Sequence, residues 1–302
     1  MAADVRSGLA DHEGRNRHGV PSGAVRSLRR ALPALPLVAF LAAALAWPFA
    51  HAIGLALTDS ASGEFPSTEN LRVLARDPLF RSALLGNVVV PVASVALELV
   101  AGLGLALLLA RRMPGRRLVR AAVVIPFALP EIVFLTVVRA LLAPRGYANG
   151  VLASAGLPPL PFLVPDTPGA WASVIVVDAW RTTPIVFLVV LGALAALPAD
   201  VGEAARLDGA GRWRRFWHVT LPLLRPALVA ALLLRGLDAL RIFAAPLVLV
   251  GVEGVPVLST YAYHQWADRG DDGLAAAASF VLAVLCVAAS VPLLRRRAEA
   301  PA

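Results

Sequence analysis

Six apolar stretches constrain this chain more than any other feature: residues 31–57, 83–110, 121–143, 170–197, 223–250 and 273–294. Each has at least the roughly 20 residues that a helix needs to cross the hydrocarbon core of a bilayer. Lipid offers no hydrogen-bond partners. A crossing segment must therefore satisfy its own backbone, which a helix does and a lone strand does not. The longer stretches must tilt or run beyond the core. The expected fold is an all-α polytopic membrane protein with six transmembrane helices. Of 302 residues, 58% are apolar and 16% charged, and mean hydropathy is +0.73. That balance excludes an intrinsically disordered chain and does not suit a soluble domain. A signal peptide would explain the first stretch, and Ala50-His51-Ala52 resembles a cleavage site. The stretch is too long for a signal core and follows a long polar region, so a retained helix is expected.

Orientation follows from arginine. All 28 basic residues are Arg, and the net charge is +8. A basic chain can signal nucleic acid, but here the arginines punctuate apolar segments. Membrane topology explains them, and no nucleic-acid partner is expected. With the N-terminus inside, residues 1–30, 111–120, 198–222 and 295–302 are cytoplasmic and hold 18 Arg. The external loops 58–82, 144–169 and 251–272 hold 5. Both termini are therefore expected in the cytoplasm. Cys286 is the sole cysteine, so no internal disulfide can form, and no Cys/His cluster has metal-ligand spacing. No catalytic, cofactor or metal residues are expected, and the chain is not read as an enzyme.

The segment 198–222 is too long and too patterned for a plain connection. Val201 to Leu207 favours a short helix after Asp200 as N-cap, and Gly209 and Gly211 break it. Trp213 to His218 forms a second turn with Trp213, Phe216 and Trp217 on one face. Within this segment Glu203-Ala204-Ala205 is followed by Gly209 six positions after the Glu, then by Val219, Leu221 and Pro222. The spacing resembles the "EAA" loop of ABC importer permeases, with Val219 in place of Ile. Residues 71–87, 146–157, 179–226, 237–251 and 258–267 are also similar to binding-protein-dependent sugar permeases of the maltose/trehalose, maltose-F-like type. Where that family is often Gly-Gly-rich, this chain reads Val250-Gly-Val-Glu-Gly-Val.

The resemblance implies a type I ABC importer permease fold. Residues 1–30 would be a disordered cytoplasmic tail, 31–297 the permease domain with its coupling loop 198–222, and 298–302 a cytoplasmic tail. It implies half of a sugar pathway, for a disaccharide such as trehalose or maltose, in a bacterial cell membrane. Glu203, Ala204, Ala205, Leu207, Asp208, Gly209, Leu221 and Pro222 would couple it to ATPase subunits. The implied partners are a second, maltose-G-like permease, two ABC ATPases that use ATP and Mg, and an extracytoplasmic sugar-binding protein. The chain has no phosphate-binding G-x-x-x-x-G-K-[ST] loop of its own.

Charges inside the apolar stretches are candidates for the path or for ion pairs. An isolated one costs about 2.5–3.5 kcal/mol at mid-helix. Asp178 and Arg181 are i, i+3 neighbours, and Arg235, Asp238 and Arg241 form one helical row. Glu98 and Glu131 lack local basic partners and are expected to pair across helices. Trp180, Phe243, Tyr261 and Tyr263 can stack on sugar rings or anchor the bundle. Two other readings stand beside transport by an ABC complex. A self-sufficient ion-coupled secondary transporter would use the carboxylates as a relay, but six spans show no inverted repeat. A membrane-embedded enzyme would need a motif such as H-E-x-x-H or G-x-S-x-G, and neither occurs.

Overall fold

The computed structural model describes residues 35–110, 114–198, 201, 205, 207, 209 and 211–298. The two expected tails, 1–30 and 298–302, lie outside them except for Ala298, which ends the last helix. All regular structure among the described residues is helical: α1 (Leu35–Ala56), α2 (Glu69–Arg76), α3 (Pro78–Ala110), α4 (Arg116–Ala128), α5 (Glu131–Leu142), α6 (Tyr147–Ser154) and α7 (Pro168–Ala196). Then come α8 (Arg212–Ala239), α9 (Ala244–Val250), α10 (Leu258–Tyr263) and α11 (Asp272–Ala298). The chain forms two units, Met1–His51 and Ala52–Ala302. The first holds most of α1, and the site described below lies wholly in the second.

Among the described residues, five helices are long and apolar enough to cross a membrane: Pro36–Ala56, Pro78–Ala110, Pro168–Ala196, Arg212–Ala239 and Asp272–Val291. The sixth expected span departs from a straight helix over 121–143. Arg116–Ala128 and Glu131–Ser154 meet at a bend of 101°. Leu129, just before Pro130, is extended at ψ 146°. A residue that precedes proline is pushed out of the α region by the ring, which accounts for the bend.

The fifth expected span also differs. The segment 223–250 was expected to be one helix. Instead α8 begins at Arg212 and ends at Ala239, and α9 takes up the remainder. Pro222 therefore lies inside α8 rather than at its entrance. The helix widens to π-type bonding over Phe216–Thr220, just before Pro222. That proline has no N–H to continue the α-helical ladder.

α3 and α7 form the principal helix pair. Their close approach needs Gly102, where a Cβ would sit 2.8 Å from the Val186 side chain. Around this pair the interior is layered. One apolar layer holds Ala106 and Leu109 of α3, Val186, Phe187 and Val190 of α7, and Leu224 and Ala231 of α8. Another holds Val90, Phe134, Leu135, Val174, Leu249 and Val257. Glu98, Asp178, Thr182 and Arg235 are buried between the two. Glu98 is eight residues, about 12 Å of helix, from both Val90 and Ala106. The charges thus occupy mid-height of the bundle. A third apolar cluster joins α2, α3, α10 and α11, where the Tyr261 hydroxyl donates to Asp77 Oδ2 at 2.6 Å.

Candidate functional site

Arg235 is the centre of the buried layer, with 1% of its surface exposed. Its guanidinium, on α8, grips Glu98 of α3 with two nitrogens: Nε donates to Oε2 at 2.7 Å and Nη2 to Oε1 at 2.8 Å. Such a bidentate fork is the strong form of the Arg–carboxylate pair. Thr182 of α7 completes the clamp. Its hydroxyl donates to Glu98 Oε1 at 2.8 Å and lies 3.1 Å from Arg235 Nη2. Arg235 also bonds Asp238, one turn along α8, and lies 3.6 Å from Asp178 Oδ2. That Asp178 oxygen is buried with no hydrogen-bond partner among the described residues.

Beside the clamp lies a cavity of about 180 Å³. Glu131, Asp178, Arg181, Thr182, Arg235 and Asp238 supply polar groups to its wall, and Arg241 and Phe243 lie on the break after α8. Glu131 and Arg181 pair across α5 and α7 at 3.4 Å. The helical neighbours Asp178 and Arg181 thus face different partners, Arg235 and Glu131. Tertiary packing overrides the i, i+3 spacing here. Asp238 and Arg241 approach to 3.7 Å and are both well exposed. Counting Glu98 behind Arg235, four carboxylates face three guanidiniums. An enclosure of this kind can bind a neutral, hydroxyl-rich solute through many donors and acceptors. Trp180 does not line the cavity; it is half exposed and stands edge-on to Phe134 at 5.3 Å.

The break after α8 is built, not frayed. Pro246 has no N–H to offer the Ile242 carbonyl, and Ser259 Oγ donates to it instead. The Leu240 carbonyl accepts from Asn87 Nδ2 at 3.0 Å, while Asn87 Oδ1 accepts from the Leu258 N–H at 3.1 Å. Asn87 is fully buried. Irregular backbone at membrane depth is tolerated where it is satisfied inside the protein and lines a cavity. Asn87, Ser259 and Thr182 did not stand out in the sequence. The available signal was an uncharged polar residue inside, or just after, an apolar run.

The segment 198–222 is described in part. Val201, Ala205 and Leu207 are helical, Leu207 is 88% exposed, and Gly209 turns the chain at φ +71°. Glu203, Ala204 and Asp208 lie outside the described residues. Trp213, Phe216 and Trp217 form one aromatic cluster, with ring centroids 5.3–6.3 Å apart. Leu221 and Pro222 are half-buried in α8.

Residues 98–298 match the family described as "Binding-protein-dependent transport system inner membrane component". Three relatives illustrate the likeness. The trehalose/maltose transport system permease protein MalF of Thermococcus litoralis is 38% identical over 67% of this chain and 69% of its own length. The trehalose transport system permease protein SugA of Mycobacterium tuberculosis is 35% identical over 72% and 71%. The sulfoquinovosyl glycerol transport system permease protein SmoG of Agrobacterium fabrum is 30% identical over 86% and 87%. In fold, the chain is similar to a subunit of a bacterial alginate ABC transporter crystallised with an alginate pentasaccharide-bound periplasmic protein. That match has a TM-score of 0.75 at 22% identity, over 92% of this chain and 100% of the other.

Proposed function

Because this chain belongs to the family of binding-protein-dependent transport system inner membrane components, a multi-pass membrane family of transport rather than catalysis, we propose that it forms half of the pathway of an ATP-driven importer for a disaccharide of the trehalose or maltose class. The observation that carries the reading is the mid-height cavity, walled by paired charges at a built break in α8. The names of the two most identical relatives reported above support the solute class. A second permease of the same type completes the pathway. Two ABC ATPases on the cytoplasmic side bind ATP and Mg, and an extracytoplasmic sugar-binding protein delivers the solute.

The segment 198–222 couples the two halves of the cycle. Its residues Glu203, Ala204, Ala205, Leu207 and Asp208 dock into a cleft of an ATPase. The exposed Leu207 is available for that contact. ATPase closure moves the segment, and Leu221 and Pro222 pass the displacement along α8 to the Arg235 cluster. Two states and reciprocal coupling suffice. The arginine asymmetry supports cytoplasmic placement of both termini and of this segment. Of the carboxylates that the ion-coupled reading would use as a relay, Glu98 is held by a bidentate arginine. Uptake of radiolabelled trehalose and maltose by proteoliposomes of the assembled complex tests the proposal. ATP-dependent, ionophore-resistant uptake that needs the binding protein is the expected result. Uptake driven by an ion gradient without ATP would overturn it.

A further inference from the structure

A second charged feature lies away from the cavity, at the start of α4. Arg116, Arg117 and Arg120 line an open hollow of about 540 Å³ together with Gly115 and Leu118. No carboxylate pairs with any of the three among the described residues. Arg120 Nε is buried without a hydrogen-bond partner among the described residues. Three guanidiniums with no carboxylate partner among the described residues, lining one hollow, suit a multiply acceptor-bearing anion.

The rest of the helix says what carries that anion. Val119 and Val123 pack inward against the α3, α7 and α8 layer. Leu118 and Ile125, seven residues apart on a neighbouring stripe, are 77% and 56% exposed. The stripe runs about 11 Å down the helix from the hollow. A phosphate at the arginines and a hydrocarbon tail along Leu118 and Ile125 match one molecule, an anionic membrane lipid. We propose that Arg116, Arg117 and Arg120 bind the headgroup phosphate of an anionic glycerophospholipid whose acyl chain lies along Leu118 and Ile125. Clustered basic side chains at the end of a membrane helix attract acidic headgroups by this chemistry.

The test uses the 302-residue chain in phosphatidylcholine nanodiscs carrying a minor share of phosphatidylglycerol. Lipids retained after detergent extraction are counted by native mass spectrometry. The wild type retains phosphatidylglycerol in preference to phosphatidylcholine. Replacing the exposed Arg117 by Gln lowers that preference about fivefold, on the usual scale for one basic residue at a lipid surface. Arg116→Gln/Arg117→Gln/Arg120→Gln abolishes it, while Arg212→Gln/Arg214→Gln/Arg215→Gln, an equal loss of charge elsewhere, leaves it intact. Arg117→Gln keeps the test valid if the triple variant does not fold. An unchanged preference in Arg117→Gln, an equal loss in the 212/214/215 variant, or displacement of the lipid by inorganic phosphate alone would each overturn the site.

Discussion

Glu98 and Arg235, 137 positions apart, are joined by two hydrogen bonds of 2.7 and 2.8 Å in the middle of the helical bundle. Neither charge is affordable alone at that depth. Removing one partner of a buried pair costs about 3–5 kcal/mol because the other is stranded. Replacing both by apolar residues of similar volume is often nearly neutral. Glu98→Leu and Arg235→Met singly are therefore expected to reduce abundance in the membrane and lower the melting temperature of the solubilised protein. The double variant should recover much of both. If the double variant is as unstable as the worse single one, the pair is not the source of the effect. Arg241→Ala should behave differently: it removes only the exposed partner of Asp238, which keeps its bond to Arg235, and stability should stay within about 1 kcal/mol of wild type.

Asn87 bridges the two sides of the break after α8, bonding the Leu240 carbonyl and the Leu258 N–H. Asn87→Leu keeps the volume and removes both bonds, leaving two buried backbone groups unpaired at about 1–3 kcal/mol each. The expected outcome is a loosened break rather than loss of the bundle. A cysteine placed at Phe243, with Cys286 replaced by Ser, should become more reactive toward a small thiol reagent. Unchanged reactivity at normal abundance would mean that Ser259 and Pro246 hold the break without Asn87.

Gly209 sits at φ +71°, a region closed to β-branched side chains. Gly209→Val should distort the turn that precedes α8, and Ala205→Trp should enlarge the face proposed to enter the ATPase. Both variants should insert normally yet lose solute uptake and stimulated ATP hydrolysis together. Wild-type uptake by either one at normal abundance would remove the support for coupling through this segment.

Topology is open to direct measurement. In a Cys286→Ser background, cysteines at Gly63, Pro165 and Asp271 should react with an impermeant thiol reagent added outside. Cysteines at Gly115 and Trp213 should react only after the membrane is opened. The basis is the concentration of arginine in alternate connections. External labelling of the Trp213 position in intact cells would invert the assignment.

Hydropathy alone is enough to read the helical class, the approximate spans and the polar segment at 198–222, because a bilayer leaves the backbone few choices. The charges at Glu98, Asp178, Arg181, Arg235 and Asp238 were visible for the same reason: a charge in an apolar run is conspicuous. Their partners were not. Helical spacing joins Asp178 to Arg181, yet the bundle sends them to Arg235 and Glu131. Partner choice depends on which helices pack side by side, and periodicity within one helix carries no information about that. The breaks were equally hidden. Pro91 and Pro184 lie inside unbroken helices, whereas the runs at Pro130 and Pro246 are broken. A proline frees a backbone carbonyl wherever it stands. At Pro246 the first turn of α10 supplies the Ser259 hydroxyl as donor to the freed carbonyl, and Asn87 of α3 holds the neighbouring carbonyl at Leu240. The sequence determined that this chain crosses a membrane as helices and carries charge into it. Only the tertiary structure decided where those charges meet and where a span gives way to a cavity, because both depend on groups that distant segments bring together.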